Sequence, residues 1–332
     1  MRVFVTGEAG FIGRNLPKAF EALGHEVVAT EQCDLLKSMS LTATSESCVH
    51  RNSVAEWVTF LKSGRVDVII HNAAVVGTDV VALNPRESAM TNVVGTHTVC
   101  RAAAKMEIPV CYLGTSVIYD TPRYQNSPIT EQSLLAPGTF YGVQKLAGEN
   151  IVRCTAKDWL IMRPLFAYGG VGDMNSLIAK GFYAALEGGP DRVDMFLDPR
   201  KRKDYMHVND FCDAVALACH KGLWGNDFNV SAEEPLETGE IVDIMSEVSD
   251  LNVGSYIRWH PETDYLGNHL LTSQKFREET GWKPLWPFRV GLRESFQSIR
   301  RGSPSYNPLQ HLESAADAGI DLKEYFPTTG KQ

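Results

Sequence analysis

The 332-residue chain carries 32 Lys and Arg against 40 Asp and Glu, a formal net charge of −8, with 44% hydrophobic and 22% charged residues. That balance describes an ordinary globular protein, about two domains by length, and excludes a disordered chain. With no basic block longer than RKRK at 200–203 and no run of about 18 apolar residues, neither nucleic acid nor a membrane is an expected partner.

The first stretch, MRVFV, is a short apolar run leading directly into TGEAGFIGR, where Gly7, Gly10 and Gly13 recur at three-residue steps. Glycine serves where backbone approaches a ligand closely or adopts positive φ. A strand turning there into a helix would offer bare N–H groups and a positive helix end to a phosphate, with Phe11 and Ile12 opening the helix. A tight strand-to-helix turn with no ligand is equally glycine-rich, so the remaining chain decides. The chain enters this strand with no charged, apolar leader before it, which makes the cytoplasm the expected location. Seven scattered cysteines without a C-x-x-C pair read as reduced thiols buried as small hydrophobes.

From 1 to about 165, apolar runs (RVFVTG, HEVVAT, VDVIIHNAA, PVCYLGTS) alternate with amphipathic stretches (IGRNLPKAFEALG, SVAEWVTFLKSG, NVVGTHTVCRAAAKM). This alternation predicts a parallel sheet wound with helices on both faces, whose ligands lie beyond the strand carboxyl ends. The polar segment 35–53 reads as an insertion. After WLIMRPL (159–165) the alternation weakens: helices are expected over 174–187, 236–248 and 273–284, the last stopped by Gly281 and Pro284, with one more strand at 227–231. The expected organisation is a dinucleotide-binding domain over 1–165 with 204–231 returning to it, and a smaller interleaved substrate lobe over 166–203 and 232–300. An irregular appendage over 301–332 completes it.

Glu31 closes the second apolar run, about 18–24 residues after the glycines, where a carboxylate accepts ribose hydroxyls and repels a 2′-phosphate; that favours NAD, while Arg14 keeps NADP open. Asp34 and Leu35 either reach the adenine or form a turn. Asn72, Ala73 and Ala74 let backbone lie close to a dinucleotide or simply pack beneath a helix. Tyr141 and Lys145, four apart, share a helical face, and an ammonium there would lower the phenol toward the working range of a proton shuttle. A surface Tyr–Lys pair is the bland alternative. Against it stands GTSVIYD (114–120), a strand end able to offer the Thr115 or Ser116 hydroxyl to the same substrate oxygen.

These motifs, together with Asn92 in NVVGT, MRPLFAYG (162–169), KDYMHVND (203–210) and FNVS (228–231), stand in an order that resembles the extended short-chain dehydrogenase/reductase family. The likeness is to its NAD-dependent nucleotide-sugar epimerase/dehydratase branch, over about residues 1–300. The resemblance implies a Rossmann-type α/β fold, a doubly wound parallel sheet with a smaller C-terminal substrate lobe, and NAD as cofactor. It further implies a nucleotide-sugar substrate, no metal and a homodimer. Carried over, Thr115 is the hydroxyl partner, Tyr141 the acid/base, and Lys145 also a ligand of the nicotinamide ribose. Asn92 supports the active-site helix, Arg163 ends a strand beside the nicotinamide, and Arg202, Lys203 and His207 border the substrate nucleotide. Arg258 is either a further phosphate contact or a surface residue. The family's usual Arg-Asp-Tyr is Lys203-Asp204-Tyr205 here, which shifts the available cation, and lysine lacks arginine's fork.

Dehydratases of this branch carry carboxylic acids at the two positions after the threonine, and reductive 3,5-epimerases a cysteine at the second. Ser116 and Val117 supply neither. Epimerisation at C4 through a transient ketone asks for the least machinery and is the expected reaction. A sugar dehydrogenase or ketoreductase using the same residues is the first alternative, and a catalytically idle dinucleotide-binding protein the second.

Overall fold

The computed structural model describes residues 1–28, 53–77, 81, 85–170, 172–173, 176–188 and 192–301. The central sheet is built from β1 (Arg2–Thr6), β2 (Glu26–Val28), β3 (Val68–His71), β4 (Val110–Leu113) and β5 (Trp159–Pro164). The chain then runs through β6 (Phe166–Tyr168), β7 (Val193–Met195), β8 (Arg202–Lys203) and β9 (Tyr205–His207) before returning as β10 (Asn226–Val230). The six strands of the sheet lie in the order β10-β5-β4-β3-β1-β2, every pair parallel. Reversal of strand order beside β1 creates the crevice in which such sheets take ligands.

Both faces of the sheet are covered, as parallel strands require, and the alternation of side chains along each strand sorts the core into two layers. Val3, Val5, Val68, Ile70, Leu160 and Met162 meet α1 (Phe11–Ala22) on one face, through Leu16 and Phe20. Phe4, Ile69, Val110, Tyr112 and Ile161 meet α2 (Val54–Ser63) and α3 (Thr96–Met106) on the other, through Trp57, Phe60, Val99 and Ala103. Each such aliphatic side chain contributes about 1.5–3 kcal/mol by leaving water. Helix α2 starts at a capping box in which Glu56 N–H donates to Ser53 Oγ at 3.3 Å and Ser53 N–H to Glu56 Oε2 at 2.6 Å. Removing the Ser53 hydroxyl would cost about 1 kcal/mol.

Helix α3 is entered through a π-helical turn, Met90–Gly95, followed in the chain by α4 (Phe140–Thr155), α5 (Leu177–Glu187) and α6 (Val208–His220). Helix α6 adds Phe211 and Val215 to the α1 face. A separate core forms around α5, α7 (Thr238–Ser249) and the final helix, with Ile178, Phe182, Ile241, Met245, Leu292 and Phe296 buried together. Between them come β11 (Leu236–Glu237), β12 (Ile257–Trp259) and α8 (Gln274–Thr280), which Gly281 ends at φ +73°. The last helix, α9 (Phe288–Arg301), carries apolar residues at 292, 296 and 299, a helical spacing that the sequence reading left unassigned. No helix among the described residues is long and apolar enough to cross a membrane. Among the described residues Cys100, Cys111, Cys212 and Cys219 are buried as expected, but Cys154 is exposed on α4.

Candidate active site

The crevice at the carboxyl ends of β1 and β3 is shaped by absent side chains. Gly7 sits at φ +67°, and a Cβ on it would stand 2.8 Å from Ala73 Cα; one on Gly13 would stand 2.2 Å from the Gly7 carbonyl oxygen. That carbonyl accepts from Gly10 N–H at 3.1 Å and from Asn72 Nδ2 at 2.9 Å, which ties the two loops together. Thr6 Oγ1 accepts from the N–H groups of Asn72 and Ala73, each at 3.1 Å, and shares a 2.8 Å bond with His71 Nδ1. Helix α1 begins at Gly10 with no side-chain cap and no acid in its first turn, and Phe11 and Ile12 are half-buried there. Free first-turn N–H groups, the positive helix end and a cradle that any Cβ would fill make residues that fit a dinucleotide pyrophosphate. Glu31, Asp34 and Leu35, and the 36–52 and 302–332 segments, lie outside the described residues.

Asn92 links this crevice to the helix that carries Tyr141 and Lys145. Its Oδ1 accepts from Val75 N–H at 2.8 Å, while Nδ2 donates to Val75 O at 2.9 Å and to Gln144 Oε1 at 2.8 Å, on α4. Behind it, Thr96 Oγ1 donates to Asn92 O at 2.7 Å and lies 3.0 Å from His71 Nε2. Burial holds His71 neutral, its pKa pushed down to about 3, with the nearby Lys145 charge adding to the effect.

At the end of β4 the chain turns through Thr115, Ser116 and Val117, and Thr115 Oγ1 accepts from Val117 N–H at 3.4 Å. Helix α4 starts against this turn. Thr139 caps it by accepting from Gly142 N–H at 3.1 Å, and Gly142 lacks the Cβ that would come 2.8 Å from Val117 O. Tyr141 in the first turn is thereby held beside Thr115, whose hydroxyl hydrogen-bonds the phenol. Ser116 is buried and Val117 half-buried.

The expected depression of the Tyr141 phenol is corrected by the structure. Burial pushes the phenol above its ordinary value, and the Thr115 hydrogen bond opposes this only in part. Lys145 is itself buried, which lowers its pKa to about 7, with Glu149 acting in the opposite direction. Its ammonium donates to Leu113 O at 2.5 Å and sits 4.2 Å over the Tyr112 ring. Tyr112 fits because position 148 is glycine, where a Cβ would stand 2.2 Å from its hydroxyl.

Four other residues read as ligand contacts have different occupations. Arg163 is buried with its guanidinium committed to both Glu149 oxygens (2.9 and 2.8 Å), the Tyr119 hydroxyl (2.6 Å) and Asp227 (2.7 Å), which leaves it a scaffold role. Lys203 is fully buried and bonds both oxygens of Asp264 at 3.0 Å as well as Gly267 O, so its charge is cancelled inside the protein. His207 is buried and stacked on Trp286 with ring centroids 3.9 Å apart. Its Nδ1 accepts from Asn209 N–H at 3.3 Å at the start of α6. Arg258 is exposed and faces Asp194 at 3.4 Å, a surface pair. Arg202, by contrast, is exposed, and among the described residues its guanidinium is held only by Pro235 O, at 3.1 Å.

Sequence reading missed Gln144, which joins Asn92 to the active helix, and Glu149, which receives Arg163. A carboxylate eight residues after Tyr141 and four after Lys145 carried the signal, since these positions stack on one helical face.

The fold is that of a Rossmann-type dinucleotide-binding protein, with a tyrosine and a threonine side by side at one end of the crevice. The model of the NAD dependent epimerase/dehydratase family matches residues 3–231, and the chain belongs to that family. Similar proteins divide between two chemistries. A UDP-glucose 4-epimerase of Mycolicibacterium smegmatis is 27% identical, covering 91% of this chain and 100% of its own. A dTDP-glucose 4,6-dehydratase of Xanthomonas campestris pv. campestris is 23% identical, with 88% and 91% covered. The structure of UDP-glucuronic acid 4-epimerase from Bacillus cereus, in complex with UDP-glucuronic acid and NAD, superposes with a TM-score of 0.77 at 19% identity, over 91% of this chain and all of that one.

Proposed function

We propose that the protein is an NAD-dependent epimerase of a nucleotide sugar, acting at C4 through a transient 4-ketone. The observation that carries this reading is the Thr115–Ser116–Val117 turn: the hydroxyl meets the Tyr141 phenol, and neither following residue brings a carboxylic acid. Elimination of water needs a second acid/base to take the C5 proton and protonate the leaving hydroxyl, and a serine and a valine have no usable pKa for either task. Epimerisation needs one proton acceptor that also gives the proton back.

In that reaction the ionised Tyr141 oxygen takes the C4 hydroxyl proton while the Thr115 hydroxyl donates to the same oxygen. Bound NAD supplies the acceptor and then the donor of the C4 hydride. Burial holds the phenol protonated, so the reaction calls for a cation beside it; Lys145, one helical turn along the same face, is the residue placed for that task, and Asn92, through Gln144, ties down the helix that carries both groups. After the ketone turns over in the site, Tyr141 returns its proton to the oxygen at the opposite C4 configuration.

The test is incubation of UDP-, GDP- and dTDP-sugars with the protein in deuterated water, followed by NMR and mass spectrometry. C4 epimers should interconvert without deuterium at C5 and without loss of water. Deuterium at C5 or a product lighter by one water would overturn the reading in favour of dehydration. Net release of NADH from added NAD would instead make the protein a dehydrogenase using the same residues.

A further inference from the structure

Three consecutive residues at the end of β4 each meet a different member of one face of α4. Leu113 O accepts from the Lys145 ammonium, and the Thr115 hydroxyl bonds the Tyr141 phenol. Between them, Gly114 leaves the space in which Glu149 lies, since a Cβ at 114 would stand 2.8 Å from Glu149 Oε1. Glu149 has no exposed surface, and both its oxygens are held by the Arg163 fork, with Arg153 adding a 3.2 Å bond to Oε2. A bidentate arginine–carboxylate pair is among the most geometrically rigid contacts available to a side chain. Arg163 is in turn braced by Tyr119, whose hydroxyl donates to Asn229 Oδ1 at 2.8 Å, and by Asp227.

We propose that Glu149 is a positioning residue of the reaction: locked by Arg163 one helical turn from Lys145, its carboxylate keeps that buried ammonium charged and set against Leu113. The inference rests on the reading of Tyr141 and Lys145 as the reacting pair. Glu149 acts through its field, because its hydrogen bonds are spent on arginines. Among the described residues, the groups around Lys145 leave this task to no other side chain. On its own helix stand Tyr141 and Glu149; β3 presents neutral His71; β4 presents the Tyr112 ring and the Leu113 carbonyl. The π-turn opposite presents uncharged Asn92, and β5 presents Arg163, a second cation, bonded to Glu149. Burial alone drives Lys145 toward the neutral amine, and Glu149 is the opposing charge.

The experiment is a 13C NMR titration of Cε-labelled lysine in the intact chain without substrate, with the Lys145 resonance identified by its loss in Lys145→Arg. In Glu149→Gln the Lys145 midpoint should fall by about one pH unit or more, the usual size of an opposite-charge effect at close range. Glu149→Asp, which keeps the charge, should stay near the wild type. Because Glu149→Gln strands Arg163 and endangers folding, the paired Glu149→Gln/Arg163→Met variant removes both charges and should show a smaller fall in the same direction, since the cation lost with the carboxylate had opposed it. In turnover, Glu149→Gln should lose activity on the alkaline side first, whereas a purely structural defect lowers the rate equally at every pH. An unchanged Lys145 midpoint in either folded variant overturns the proposal. Since the titration involves no substrate, its failure leaves the C4 reading standing, and failure of that reading leaves the titration intact.

Discussion

Lys145 and Lys203 are both buried lysines, and the two regions that hold them use the charge in opposite ways. Lys203, on β8, meets both oxygens of Asp264 and the Gly267 carbonyl, a closed set of partners. Lys145, on α4, has a single carbonyl as hydrogen-bond acceptor among the described residues, and the neighbouring carboxylate of Glu149 is already bound to Arg163. A buried cation with its own carboxylate is satisfied and structural. One whose nearest carboxylate is committed elsewhere keeps an adjustable proton, which is what acid–base chemistry requires.

The largest test of this contrast is at Tyr141, beside the adjustable lysine. Tyr141→Phe should lower kcat by about 10²–10⁴, the usual contribution of a general acid–base group, and leave NAD binding and Tm near the wild type. Near-normal turnover in this variant would remove the region's claim to the chemistry. The complementary change is Asp264→Asn, which strands the Lys203 cation and should cost about 3–5 kcal/mol in chemical denaturation. Burial lowers the pKa of Lys203 and Asp264 raises it, so the loss should be largest at acid pH, where the lysine stays charged. Lys203→Met/Asp264→Leu, which removes both charges, should recover most of the stability. If Asp264→Asn folds as stably as the wild type, the pair is not the anchor described.

The contrast also explains what was legible in the sequence. The glycine turn, the strand runs and the Tyr141–Lys145 spacing are local patterns, and each depends on residues within about one helical turn or strand of one another. Whether Lys203 points toward substrate or into the protein depends on Asp264, 61 residues away in the chain, and no local pattern encodes that pairing. The burial of His207 was hidden for the same reason, since its stacking partner Trp286 lies 79 positions on. Glu149 had a visible spacing, but its meaning required Arg163 on a neighbouring strand. The phenol's upward shift likewise follows from burial, which composition does not reveal.

A smaller effect sharpens the comparison through pH. Lys145 loses its proton near 7 in the folded protein and near 10.5 when unfolded. Between those values the unfolded chain binds more protons, so stability should rise with pH, by at most about 1.4 kcal/mol per unit. Lys145→Met should lack this rise, which urea denaturation at about pH 7 and pH 9 would detect through a shift in midpoint at constant slope. An identical pH dependence in the two proteins would mean that Lys145 is not the adjustable cation.

The smallest effect is expected at Arg202, the neighbour of Lys203 on the same two-residue strand. Successive side chains of a strand point to opposite sides, so the lysine that goes inward leaves the arginine outward. Arg202 is tied only to the Pro235 carbonyl, and Arg202→Gln should change stability by less than about 0.5 kcal/mol, the ordinary range for an exposed site. If a substrate phosphate meets a cation of this strand, the exposed Arg202 is the one within its reach, and Lys203 is not. A solvent-exposed charge contact is worth roughly 1 kcal/mol, so Arg202→Gln should raise KM for the nucleotide sugar about fivefold without lowering kcat. The increase should shrink as salt is added, because screening weakens the wild-type contact while the glutamine variant has none to lose. A KM unchanged at low salt would show that neither cation of β8 reaches the substrate, and that the lobe binds its ligand without this strand's charge.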